Sequence, residues 1–151
     1  MLIYLASPYS HPDPLVRHDR FLLACRAAGW LIRHGITVFS PIAHSHPIAM
    51  AVEMGGCFDT WQRHNRRWLE ACDELAVLTV EGWQQSRGVA GEMAWAAELG
   101  KATTFLEVLD RGDRHGGVRF ARGTGGPAGA VDRADLVRGL GGGEGREATE
   151  R

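Results

Sequence analysis

Four short apolar runs alternate with longer stretches of helical periodicity, and this alternation is the strongest constraint on the fold. The runs are Leu2–Ala6, Ile36–Phe39, Leu75–Val80 and Ala102–Leu106. Each has the length of a strand, and the first two are closed by Ser7-Pro8 and Ser40-Pro41. Asp13-Pro14 reads as a helix N-cap with proline in the first helical position. After it, Leu15, Phe21, Leu22, Cys25, Ala28, Leu31 and Ile32 recur at helical spacing until Gly35, a natural stop. A second helix is expected from about Asp59 or Thr60 to Cys72, and a third from Val89 to Leu99, stopped by Gly100. Residues 40–57, with Pro47 and Gly55-Gly56, read as an irregular loop. Strands alternating with helices predict parallel βαβ units. The expected fold is α/β, a Rossmann/flavodoxin-like three-layer sandwich with a mostly parallel sheet of four to five strands.

The periodic pattern stops near residue 109. Residues 110–151 hold 12 of the chain's 20 glycines and one aromatic residue, Phe120. Such a stretch buries too little apolar surface to offset its ordering entropy. It reads as a low-complexity, mostly disordered tail, with at most a short helix around Val131 to Leu140. The folded domain is then about 1–109, enough for one core.

The charge pattern narrows the function classes. The net charge is −1 and no basic face appears, so a nucleic-acid polymer is not an expected partner. No run reaches the ~18 apolar residues of a membrane span. The start, Met1 to Leu5, lacks the basic residues of a signal peptide and reads as a first strand. Three cysteines without a CxxC pair suit a reduced, cytoplasmic protein.

In open parallel sheets ligands bind beyond the carboxyl ends of the strands. Those ends carry the polar and aromatic residues here: Ser7 and Tyr9, with Ser10 and His11; Ser40 to His46; and Glu81 to Gly88. Ser86-Arg87-Gly88 lies at a strand-to-helix turn, where backbone N–H groups can hold a phosphate. Ser-x-Gly is also an ordinary capping pattern. Glu92 follows among small or apolar neighbours. It is either a solvated first-turn carboxylate or an inward-facing nucleophile kept ionised by the helix dipole. Strand, anion-binding turn and nearby carboxylate together point to a small nucleotide or nucleoside as ligand. Trp83 could stack on a base or cover the sheet edge. Tyr4, inside the first strand, needs a partner for its hydroxyl if buried, and Glu92 is a candidate. His44-Ser45-His46 lacks a third ligand at recognisable spacing, although His11, His64 and Cys57 exist; no metal or cofactor is expected, and His44 and His46 are read as ligand-binding. Asp73 ends the second helix and could simply bond backbone groups. Trp61 and Trp68, seven apart on one helical face, suit either the core or a subunit contact.

Three motifs carry a resemblance: Ile3-Tyr4-Leu5-Ala6-Ser7-Pro8; Asn65-x-x-Trp68-Leu69-x-x-x-Asp73; and Ser86-x-Gly88-Val89-x-x-Glu92-x-x-x-Ala96, followed by Gly100-Lys101. Over residues 2–106 the chain resembles the nucleoside 2-deoxyribosyltransferase-like superfamily, which includes the nucleoside 5′-monophosphate N-glycosidases. With Pro41-Ile42-Ala43-His44-Ser45-His46 it is similar to an uncharacterised bacterial and phage subgroup. The resemblance implies hydrolysis of the N-glycosidic bond of a nucleoside 5′-monophosphate, or base transfer, through a glycosyl-enzyme. Glu92 would be the nucleophile, Tyr4 its orienting partner, and Ser86 the phosphate-binding serine. The superfamily's acid/base aspartate falls on Asn65, whose amide has no titrating proton. Asp73 or His64 would then take that task, or the domain would bind nucleotides without turnover. The resemblance also implies a homodimer or larger assembly.

Overall fold

The computed structural model describes residues 1–54, 58–110 and 119–123. In chain order the elements are β1 (Leu2–Ala6), α1 (Pro14–Arg33), β2 (Thr37–Phe39), α2 (Pro41–Ala51), α3 (Phe58–Ala71), β3 (Glu74–Leu78), α4 (Arg87–Glu98), β4 (Thr103–Asp110) and β5 (Arg119–Gly123). The strands form one sheet in the order β2-β1-β3-β4-β5. The first four run parallel, and β5 pairs antiparallel with β4. The chain winds outward from β1 to β2, then returns past β1 to β3. The winding therefore reverses between β1 and β3, where open α/β sheets form their ligand crevice. This is the expected three-layer sandwich.

Alternation along the strands builds two cores. Ile3 and Leu5 of β1 face Leu23, Ala27 and Leu31 of α1. Tyr4 and Ala6 face the opposite way, towards Leu69 of α3 and Val89 and Ala96 of α4. Strands buried on both faces read as continuous apolar runs, as β1 and β3 do.

Local chemistry sets the helix ends. The Asp13 side chain accepts from the Leu15 N–H at 2.8 Å, and Pro14 opens α1. Ser86 caps α4 by accepting from the Val89 N–H at 3.3 Å. Gly35 (φ +74°) and Gly100 (φ +64°) leave their helices through the left-handed region, which glycine enters without steric cost. Lys101 donates to the carbonyls of Glu70 and Cys72 at the end of α3.

The structure corrects the sequence reading in two places. Residues 41–51, expected as irregular, form α2. Ser40 caps it through the Ala43 N–H, Pro41 starts it, and α1 packs along it. Pro47 sits inside this helix on its exposed side and removes one of its internal hydrogen bonds. Strand β5 lies within the segment read as tail, and the boundary drawn at 109 falls inside β4. The helix expected around Val131 to Leu140, and Cys57, lie outside the described residues. Among the described residues no helix is long and apolar enough to cross a membrane.

Candidate functional site

A cavity of about 470 Å³ opens at the carboxyl ends of β1 and β3. Ser7 and Tyr9 reach it from the loop after β1, Ser45 and His46 from α2, Trp61 and Asn65 from α3, and Ser86, Gly88 and Glu92 from α4 and its cap. These segments are distant in sequence and meet because the sheet reverses its winding here. A wider, open groove of about 650 Å³ runs along the outer side of α3 past Arg63, His64 and Trp68. None of its lining residues is a buried polar one.

Glu92 is the acidic centre of the cavity. It lies in the second turn of α4, and the residue is 4% exposed. The first-turn solvated carboxylate is therefore excluded. The fully buried Tyr4 donates its hydroxyl to Glu92 Oε1 at 2.7 Å across 88 residues of chain. Burial pushes the Glu92 carboxyl up to about 8, against a smaller downward pull from the Tyr4 hydrogen bond. The expectation that the helix dipole keeps it ionised is corrected: beyond the first turn the dipole is weak, and desolvation of the charged form wins. The same burial, and the carboxylate beside it, raise Tyr4 well above the usual phenol range.

Two polar atoms stand out. Among the described residues, Ser7 Oγ and Asn65 Oδ1 are buried without a hydrogen-bond partner. Both belong to residues lining this cavity. An unmet buried polar atom costs about 1–3 kcal/mol, so finding both at one cavity marks it as a place shaped for a polar ligand.

The rim also carries arginines and rings, beside small and apolar residues such as Ile42 and Ala49. Arg20 donates to the carbonyls of Ser10 at 2.8 Å and Glu81 at 3.2 Å, and so ties the loop after β1 to the loop after β3. Its guanidinium lies over Gly82 (φ +85°), where an added Cβ would stand 2.6 Å from Arg20 Nη2. Arg87 at the start of α4 grips Asp59 of α3 with both terminal nitrogens, at 3.1 and 2.8 Å. Tyr9 Oη and His46 Nδ1 are 2.7 Å apart, and the His46 ring stacks on Phe21 with centroids 4.2 Å apart. Burial, then His18 and Arg17, lower the His46 pKa, and burial raises that of Tyr9.

Three residues expected at the site are elsewhere. Asp73 precedes β3, at the amino end of the strands. It accepts from the Leu2 N–H at 2.6 Å and lies 4.0 Å from the amino terminus, so the boundary role is the correct one. Trp83 follows β3 but turns against the core, its ring 5.5 Å from Phe105, and it does not border the cavity. His44 stacks on His64 at 5.2 Å and borders Phe39, away from the cavity. Residues two apart on a helix diverge by about 200°, so α2 separates His44 from His46. Sequence reasoning placed Ser45 in the segment at the ligand end without singling it out, and missed Arg20, Trp61 and Arg87 as cavity residues because their cues are tertiary. Of Trp61 and Trp68, the first lines the cavity and the second stacks on Phe39 at 4.3 Å while 39% exposed.

The solved structure of a 2-deoxyribosyltransferase from the psychrotolerant bacterium Bacillus psychrosaccharolyticus is similar, with a TM-score of 0.52 and 22% identity over 71% of this chain and 72% of that one. The fold is thus nucleoside 2-deoxyribosyltransferase-like. No curated protein matches the chain in sequence. The model of the family described as domain of unknown function (DUF1937) matches residues 1–108, and the chain belongs to that family.

Proposed function

We propose that the cavity binds a nucleoside 5′-monophosphate and that Glu92 attacks its C1′, releasing the base and leaving a glycosyl ester that water opens. The observation carrying this reading is the buried Glu92 carboxyl, held by the Tyr4 hydroxyl at 2.7 Å, in a cavity that also holds the unpartnered Ser7 and Asn65 atoms. The logic is that of retaining glycosidases, in which a carboxylate forms the covalent intermediate. The N-terminus of α4, with Ser86 and Gly88, suits the phosphate, and Arg20 and Arg87 add positive charge at the rim. The likeness to a 2-deoxyribosyltransferase supports chemistry at a nucleoside C1′. Base transfer differs only in the acceptor, with a second base taking the place of water.

The test is release of free base from a panel of ribo- and deoxyribonucleoside monophosphates, with Glu92→Gln as control. Release that depends on Glu92 supports the reading; no release from any of them overturns it. Capture of the sugar phosphate by an added free base would identify transfer. Asn65, an amide at the position of the superfamily's aspartate, favours a second reading, binding without turnover. That reading predicts thermal stabilisation by a nucleotide recovered intact. We also propose self-association through the outer face of α2 and α3, where Ile48, Met50, Val52 and Trp68 are exposed. Sedimentation of a single monomeric species would overturn that.

A further inference from the structure

Breaking a C–N glycosidic bond leaves an electron pair on the base nitrogen. A proton placed there is worth ~10²–10⁴ in rate. The Asn65 amide has none to give, Tyr4 is bound to Glu92, and Asp73 lies at the other end of the sheet. Of the titratable groups lining the cavity besides Glu92, Arg20 and Arg87 stay charged at any working pH. Tyr9, His11 and His46 remain.

The hydrogen bonds separate the two histidines. His11 Nδ1 accepts the Asp13 backbone N–H at 3.1 Å, so protonating that nitrogen breaks the bond. The partner of His46 Nδ1 is the Tyr9 hydroxyl at 2.7 Å, which serves both states of the ring. It accepts from the Nδ1–H of the imidazolium and of the neutral ring left once Nε2 has given up its proton. Nε2, on the far side of the ring, is therefore the nitrogen that releases and retakes a proton. The ring is held in place by Phe21, centroids 4.2 Å apart and planes 25° apart, and by the edge of Tyr9.

We propose that His46 is the proton donor to the departing base, with Tyr9 as its positioning partner. The inference rests on the glycosidase reading above. As the C1′–N bond breaks, its electron pair goes to the base nitrogen, which takes the proton from His46 Nε2. The Glu92 carboxylate bonds to C1′. Water then attacks C1′, gives its proton to Nε2 and returns Glu92 to its starting state. The groups facing His46 are Tyr9 from the loop after β1, and Arg17 and His18 from α1. The active form carries one proton between Glu92 and His46. Its population is bell-shaped in pH, lost below the lowered range of His46 and above about 8.

The experiment compares two substrates of one enzyme: a nucleoside 5′-monophosphate, and a 4-nitrophenyl riboside 5-phosphate whose phenolate leaves without a proton. His46→Ala is expected to lower kcat by ~100-fold or more on the nucleotide and far less on the nitrophenyl substrate. It should also lose the alkaline limb of the pH profile, leaving activity that rises with pH as Glu92 ionises near 8, and regain nucleotide turnover with added imidazole. Thermal melting establishes that the variant is folded. Should it not fold, Tyr9→Phe, which keeps the ring stack, is expected to shift the acid limb and spare the nitrophenyl substrate. Equal loss on both substrates without imidazole rescue, or no loss at all, overturns the proposal while the glycosidase reading stands. A wild-type enzyme inert on both substrates overturns that reading and this inference with it.

Discussion

Glu92 is 4% exposed and bonded to one phenol, and the cost of its charge has a measurable sign. Its folded pKa, about 8, lies above the usual glutamate value. The neutral acid is the form the fold accommodates. Stability is fully present below pH ~4.3 and is lost as pH rises towards and through 8. Glu92→Gln keeps an acceptor for Tyr4 and cannot ionise. We expect the variant to match the wild type near pH 4 and to exceed it by about 3 kcal/mol at pH 7, while base release disappears. Denaturant melts across pH check the first expectation; a constant stability difference would show that the carboxyl ionises freely in the fold. Tyr4→Phe acts oppositely. It leaves a buried carboxyl without its donor, so the fold weakens by ~1–3 kcal/mol and the Glu92 pKa climbs further, read as an upward shift in the pH dependence of base release. Tyr4 was legible as a partner of Glu92 because a phenol inside an apolar strand has to place its hydroxyl somewhere. The inward face of Glu92 was one of the two readings its small and apolar neighbours offered; the degree of desolvation that reverses its charge preference was not legible, since it comes from elements packing together.

Helix ends were readable where the capping chemistry is local. Asp13-Pro14 and Ser86 announce α1 and α4 from the sequence. Ser40-Pro41 carries the same signal for α2, but Pro47 and the following glycines outweighed it, and with the helix went the separation of His46, which lines the cavity, from His44, which does not. Ser86→Ala is expected to cost about 1 kcal/mol through the cap and to weaken nucleotide binding. Calorimetry beside a melt separates the two effects. The clasp made by Arg20 has its own test. Gly82→Ala puts a Cβ into the guanidinium and into a left-handed backbone, a strain of about 1–2 kcal/mol, and loosens two rim loops together. Faster hydrogen exchange in residues 7–11 and 81–86 would report it, and unchanged exchange would show that the clasp does not hold the rim.

The order of strands and helices was enough to place the crevice, because a sheet that winds both ways from β1 opens only at its carboxyl edge. The same polarity disposes of Asp73: a residue just before a parallel strand lies at the opposite edge, whatever its chemistry. What the alternation could not reveal was β5, whose antiparallel pairing with β4 follows a segment without a helical pattern. The glycine-rich composition beyond it leads us to expect that a chain ending at Gly123 melts at the same temperature as the full length.

Trp61 borders the cavity while the other four tryptophans lie outside it. An indole beside a bound purine or pyrimidine loses part of its emission, so occupancy can be followed by intrinsic fluorescence without a label or turnover. A Trp61→Phe protein should bind by calorimetry yet stay optically silent, which turns the pocket wall into its own reporter.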